Sequence, residues 1–402
     1  MNLSWEEITR GFAENAEFCL GYSDLYHALY KSLAEITSQG GTFIKLIEDA
    51  WDERIISNRV ESALLVPAAI HAAVLSDDPA ADAVRPFFAT AGGSFDPATD
   101  SDALHAALLD LFAQSGEVVP WFLREGRIQT NETSRSVAWL IPALIFSAWQ
   151  PDLQITLVDL GTSGGLNLAA DHYGWQWTID GQARALGDEP WLMQQSIHSD
   201  DPHDPGLLAM LPDERITPPQ IFQRAGFDRY PLNVFNEDHL LGLRACIWGD
   251  QPDRMARFER SVAGYERMTT SGIVPRIFSG DIIEAAELLP NLIPPFAPTP
   301  HLLLVFNSAV TIYLSDNEYD RLRNNLMHAL SSLPKGVAGV WIEAESPRYN
   351  EQAMREKHFM LKMRVPFMGG ISSFFLGELE PHPTNLHLNP GWEPLREMLE
   401  LG

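Results

Sequence analysis

One stretch constrains the fold of this chain more than any other: Ile155-Thr-Leu-Val-Asp-Leu-Gly-Thr-Ser-Gly-Gly-Leu-Asn-Leu168. An apolar run ends in Asp159, glycines follow at Gly161, Gly164 and Gly165, and apolar residues resume at Leu166. A short uninterrupted apolar run predicts a strand buried on both faces, which needs covering helices and therefore an α/β sheet. Small residues at 161, 163 and 165 predict a tight turn whose backbone approaches a ligand closely. A helix opening near Leu166 would then present its free amides to a negative group.

The texture of the chain changes at this point. Before it, the signals are helical. Ser4 with Glu7 forms a capping box and Leu3 with Ile8 a hydrophobic staple, so a helix is expected from residue 5. Apolar stripes of helical period run through Leu25, Tyr26, Leu29 and Leu33, and through Leu64, Leu65, Ala69, Ile70, Ala73 and Val74. His27 and His71 lie within these stripes and read as core or boundary residues without chemistry. A loop at Gly92–Pro97 leads to a helix over Asp102–Ser115, and the polar cluster Gln129–Arg135 opens an apolar helix ending near Trp149. The expected organisation is a helical domain over 1–124 and an α/β domain over 125–402.

After residue 155, β-rich runs alternate with helical stretches. Ile155–Leu160, Trp175–Ile179, Val274–Ser279, Leu302–Phe306 and Val337–Ile342 read as buried parallel strands. Phe359–Val365 and Ser372–Leu379, joined by Pro366–Gly370, read as a hairpin that ends the sheet antiparallel. The roughly ninety residues Gly181–Gly272 exceed what a crossover needs. They combine an Asp-, Pro- and His-rich part, Gly187–Glu214, with helical patterns at Glu237–Ile247 and Asp253–Met268. This insertion reads as a cap near the ligand end of the sheet or as a packing elaboration.

Charge narrows the partners. The 402 residues hold 28 Lys+Arg against 54 Asp+Glu, a formal charge of −26, so phosphate backbones and anionic lipid surfaces are repelled. Neither nucleic acid nor membrane is an expected partner. Cys19 and Cys246 are too few for a disulfide framework or a Cys-based zinc site, and Met1–Glu7 lacks the pattern of a signal peptide. The longest apolar run, Val137–Trp149, contains Pro142 and is shorter than the roughly 18 residues of a spanning helix. A cytoplasmic protein is the expectation.

The nicotinamide fingerprint laid on Gly161 would need glycines where the chain has Ser163 and Leu166. The spacing acid, x, Gly, x, small, x, Gly resembles instead the first motif of S-adenosylmethionine-dependent methyltransferases. Asp180 closes the second predicted strand at about the position of a ribose-binding acid, some twenty residues on, and Asp180-Gly181 equally makes a turn pair. Gly280-Asp281-Ile282 ends the third strand, Asn307-Ser308 the fourth, and Ser315 with Glu318 caps the next helix. Gln129-Thr-Asn-Glu132, Asp159–Leu168, Leu243-Arg-Ala-Cys-Ile-Trp248, Ser279-Gly-Asp281, Val305-Phe-Asn-Ser-Ala309 and Trp341–Pro347 together resemble the bacterial family catalogued as domain of unknown function 2332. The resemblance covers nearly the whole chain. It implies a Rossmann-like, methyltransferase-like fold and a bacterial cytosolic origin, and it brings no known substrate or catalytic residues.

The expected cofactor is S-adenosylmethionine, held by Asp159, Gly161, Thr162, Ser163, Gly164, Gly165, Asn167, Asp180, Asp281, Ile282 and Asn307. Asn307, Ser308, Tyr313, Glu132 and Glu345 are the candidates for orienting or deprotonating a small-molecule or protein acceptor. Two other readings stand beside this one. Gly161–Gly165 also matches the Gly-x-Ser-x-Gly elbow of α/β-hydrolases with Ser163 as nucleophile, and a methyltransferase-like fold can bind a nucleoside without catalysis. His198, Asp200, Asp201, His203 and Asp204 read as a solvated acidic loop in preference to a metal site, as do His382 and His387 in the Pro-rich tail.

Overall fold

The computed structural model describes residues 4–399 except 53, 55, 57–58, 115, 130, 189–190, 200–208, 294–299, 348–357 and 390–391. Every described regular element before residue 154 is helical. The first opens where its capping box predicts: Ser4 Oγ accepts from the Glu7 amide and the Glu7 carboxylate accepts from the Ser4 amide, ahead of helix Trp5–Cys19. Ser315 and Glu318 repeat the arrangement at helix Asp316–Ser331. Among the described residues no helix is long and apolar enough to cross a membrane. Val137–Trp149 is a single helix with Pro142 inside it, buried from Val137 through Phe146.

The chain divides into two compact units, Met1–Thr130 with Asn233–Phe258, and Asn131–Leu232 with Glu259–Gly402. Leu25, Leu29, Leu33, Ala69, Ile70, Ala73 and Val74 all join one apolar core in the helical unit, as their periodicity predicts. His71 is fully buried there. Its Nε2 meets the Thr90 hydroxyl at 2.7 Å and its Nδ1 the Ala245 carbonyl at 3.3 Å, and burial pushes its pKa down to about 4.

The second unit is built on an eleven-stranded mixed, mostly parallel sheet. Its strands are β1 Gln154–Leu160, β2 Trp175–Ile179, β3 Gln182–Leu186, β4 Met193–Ser199, β5 Gln220–Asp228, β6 Arg276–Ser279, β7 His301–Ser308, β8 Val337–Glu345, β9 Phe359–Phe367, β10 Gly370–Leu379 and β11 Asn385–Leu388. Across the sheet they run β3-β2-β4-β11-β10-β9-β8-β7-β1-β5-β6. The block β6-β5-β1-β7-β8 is parallel throughout. Val158, Leu160, Leu303 and Val305 on one face pack with Ile282–Leu292 and helix Asp316–Ser331. On the other, Trp139 of helix Val137–Trp149 reaches Phe306 at 6.4 Å between ring centroids. Cover on both faces is why β1, β7 and β8 read as unbroken apolar runs.

Three expectations change. The strand beside β1 toward β6 is β5, not Trp175–Ile179. That expected strand, β2, pairs instead with β3 as a hairpin turned by Asp180 (φ +46) and Gly181 (φ +83), the positive-φ pair two-residue hairpins require. The β9–β10 hairpin does not end the sheet, because β11, β4, β2 and β3 continue beyond it. The stretch Gly181–Gly272 supplies β3, β4 and β5 to the sheet, and its part Asn233–Phe258 belongs to the helical unit.

Candidate functional site

The order of strands reverses at β1. The chain steps from β1 to β5 and β6 on one side, then returns to β7 and β8 on the other, so the carboxyl ends of β1 and β7 flank a switch point. The glycine turn lies there. Gly161 has φ +85 and Gly165 φ +77, values that disfavour a side chain, and Ser163 takes φ +50 despite having one. The turn runs into a 3-10 helix, Leu166–His172, instead of an α-helix.

Four of the turn's amides, those of Gly161, Thr162, Ser163 and Gly165, are committed within the protein. Gly161 N and Thr162 N both donate to the Phe227 carbonyl at 2.8 and 3.1 Å, and Gly165 N donates to Thr162 O at 2.8 Å. Ser163 N donates to Asp228 Oδ2 at 2.9 Å, and Asp228 Oδ1 accepts from Tyr230 N at 2.8 Å. Asp228, the last residue of a strand that the sequence pattern does not reveal, is thus the acid beside the turn. Its position after Gly226 and Phe227 is a signal, since Thr162 fills the space that a Cβ at Gly226 would need, 2.6 Å away. A second carboxyl stands nearby: Asp159 is 2% exposed. Burial pushes its pKa up to about 8, with the Thr162 hydroxyl lowering it and Asp228 raising it further. With amides turned inward and two carboxyls adjoining, the turn is poorly suited to a phosphate.

Asp281 lies just past β6 on the same edge of the sheet. Its carboxylate caps helix Ile282–Ala285 through Ile283 N at 2.8 Å and pairs with Arg229 at 2.7 Å. Burial opposes its ionisation, but these hydrogen bonds and the Arg229 charge hold its pKa below the usual carboxylate value. Ile282 packs into the apolar layer beneath the sheet. Asn167 accepts from Ser136 Oγ at 3.0 Å, and its carbonyl accepts from Trp139 Nε1 at 3.0 Å, which fastens the turn to the start of helix Val137–Trp149. Asp180 is not brought to this edge. Six strands separate β2 from β1, and the successive pairings leave β2 pointing the opposite way, so its carboxyl end lies at the other end of the sheet.

Asn307 and Glu345, both expected to handle an acceptor, are bonded to each other. Asn307 is fully buried, accepting from Trp341 Nε1 at 2.6 Å and donating to Glu345 Oε1 at 2.6 Å. Glu345 also accepts from Val310 N at 3.0 Å and Thr311 N at 3.2 Å. Burial raises its pKa against those bonds. Ser308 Oγ is buried without a hydrogen-bond partner, and Tyr313 is 68% exposed in the turn Thr311–Tyr313. Glu132 is buried with Oε1 on Ser134 and Oε2 on His382 Nδ1 at 2.8 Å. Successive pairings make β10 run with β1, so His382, three residues beyond β10, belongs to the loops at the same edge.

His198 stands opposite His387 where β4 pairs with β11, with ring centroids 5.3 Å apart. Asp200, Asp201, His203 and Asp204 lie outside the described residues. Among the described residues no group of three or more His, Cys, Asp or Glu is placed to hold a metal ion.

The family described as "Uncharacterized protein conserved in bacteria (DUF2332)" matches residues 9–387. The chain belongs to this family. The match runs through both compact units, so family membership covers the helical unit as well as the sheet. No curated protein and no solved structure matches the chain.

Proposed function

We propose that the chain binds a nucleoside-type cofactor, S-adenosylmethionine, at the carboxyl ends of β1, β5 and β7, and transfers its methyl group to a small-molecule or protein acceptor. The observation that carries this reading is the glycine turn at the strand-order reversal, with four of its amides bonded inward and the carboxyls of Asp159 and Asp228 beside it. Such surroundings disfavour a pyrophosphate and suit a neutral or cationic ligand. The donor set fits. Asp228 and Asp281 are the acids that would hold ribose and adenine groups, and Thr162 to Gly165 the backbone that would lie against them.

S-adenosylmethionine supplies a methyl group already activated by a positive sulfur, so the protein's task is alignment, where effective molarities of order 10⁵ M or more are reachable. Asn167 fixes the turn to its neighbouring helix. Glu132 orients His382 through Nδ1, which makes Nε2 of that imidazole the atom that takes a proton from an acceptor. Ser308, at the end of β7, is a hydroxyl able to position that acceptor.

Thermal unfolding with and without S-adenosylhomocysteine tests the reading. Ligand at 100 times its Kd adds about 2.7 kcal/mol and moves the midpoint of a chain this size by roughly 2 °C or more. An unmoved midpoint at millimolar ligand ends the proposal. Binding without methylation of any acceptor in a metabolite or protein extract favours the non-catalytic nucleoside binder. The hydrolase reading keeps one supporting observation, the left-handed backbone of Ser163 between a strand and a helix. A fluorophosphonate probe decides it, and we expect Ser163 to stay unlabelled.

A further inference from the structure

The loop after β7 lies directly on the glycine turn. A Cβ placed on Gly161 would sit 2.7 Å from Val310 Cγ2 and 3.0 Å from Val310 Cβ, so the valine fills the space in front of the Gly161 α-carbon. Gly161 is therefore glycine twice over, for its φ and for this contact. The loop is held down by a buried carboxylate: Glu345 accepts from the amides of Val310 and Thr311, and Ala309 N donates to Ala344 O at 3.1 Å. It is also under local strain, because Ala309 adopts φ +56, a region that alanine seldom occupies. Two buried polar atoms on the neighbouring strands have no hydrogen-bond partner, Asp159 Oδ2 on β1 and Ser308 Oγ on β7. Asp159 pairs in register with Phe306, two residues before Ser308, so both groups stand at the mouth between β1 and β7.

We propose that Val310 is the gate of this crevice: the segment Ala309–Thr311 rests closed on Gly161, and a ligand reaches the glycine turn by displacing it. The gate explains why unsatisfied polar atoms coexist with a covered turn, since Asp159 Oδ2 and Ser308 Oγ gain partners when a ligand with hydrogen-bonding groups, such as hydroxyl or amide, enters between the strands. It also gives Glu345 a role. The carboxylate is a positioning residue that sets how firmly the loop is latched, and its donors come from the segment that must move and from Asn307 beneath it.

The inference rests on the glycine turn being a ligand site, and its test separates the two. Ser308→Cys introduces a thiol at the mouth, and its rate of reaction with a maleimide reports opening without any ligand. Cys19 is buried and burial pushes the Cys246 thiol up to about 11, so both react slowly at neutral pH, and the parent chain gives the background. Adding Val310→Ala should speed labelling of Ser308→Cys about tenfold, the equivalent of the methyl groups removed from contact. Val310→Trp should slow it, and circular dichroism checks that both variants fold. Equal rates in all three backgrounds overturn the gate, whatever S-adenosylhomocysteine does. Faster labelling with no thermal shift from S-adenosylhomocysteine leaves the gate standing and sinks the cofactor reading. Where the ligand does bind, Val310→Ala should tighten it and Val310→Trp should weaken it.

Discussion

The helical unit and the sheet unit treat buried polar groups in opposite ways. In the helical unit, a buried polar residue serves the core: His71 is neutral, bonded to Thr90 and Ala245, and surrounded by apolar side chains. In the sheet unit, buried carboxyls gather at the carboxyl ends of the central strands. Asp159 lies beside Asp228, Glu345 clamps a loop and Glu132 grips a histidine. A core holds few polar groups because each must be satisfied or destabilise the fold. Their concentration at one end of one sheet is where the proposed ligand site lies, and the helical unit carries no comparable cluster among its described residues.

The largest expected effect belongs to the apolar side of this contrast. Trp51 is fully buried and donates its Nε1 to the Leu123 carbonyl at 3.1 Å, so Trp51→Ala should cost about 3–5 kcal/mol in denaturant unfolding. A cost below about 1 kcal/mol would show that the helical core is loosely packed. In the sheet unit, Gly161→Ala should cost about 2–4 kcal/mol, from a left-handed φ and from overpacking against Val310. That variant should also lose ligand binding, whereas the tryptophan variant should retain it once folded.

A smaller effect sharpens the contrast through pH. His71, lowered to about 4 by burial, binds its proton more weakly folded than unfolded, so its contribution to stability is lost as pH falls from about 6.5 toward 4. Asp159, raised to about 8 by burial, binds its proton more tightly folded, so its contribution is full below about 4 and lost as pH rises toward 8. Unfolding free energies of wild type minus His71→Gln should therefore rise with pH, and those of wild type minus Asp159→Asn should fall. Two slopes of the same sign would remove the distinction.

The sequence is most legible where one local signal suffices. Capping boxes at Ser4 and Ser315 mark helix starts, and apolar runs place β1, β7 and β8, because a strand covered on both faces needs no alternation. Four strands are hidden from such signals: β3, β4, β5 and β11. Gln220-Ile-Phe-Gln-Arg-Ala-Gly-Phe-Asp228 mixes polar and apolar residues, and Met193-Gln-Gln-Ser-Ile-His-Ser199 is mostly polar, since these strands are partly exposed or bury a polar side chain such as Gln195 and Arg224. Their pairing depends on partners far away in the chain, which no local window contains. The misplacement of Asp180 has the same origin. With β5 hidden, Trp175–Ile179 takes its place in the expected order, and the wrong acid comes with it.

The sequence alone determined that an acid-ended apolar strand runs into a glycine turn, that helices precede it, and that the chain carries a formal charge of −26. Those properties are local or additive, so they survive without knowing the fold. Only the tertiary structure decided that Asp228 stands beside the turn, that Asn307 and Glu345 are bonded to each other, that His382 meets Glu132 from 250 residues away, and that Val310 covers Gly161. Each of these depends on which strand lies next to which. Strand order is set by burial summed over the whole sheet, and no single segment encodes it.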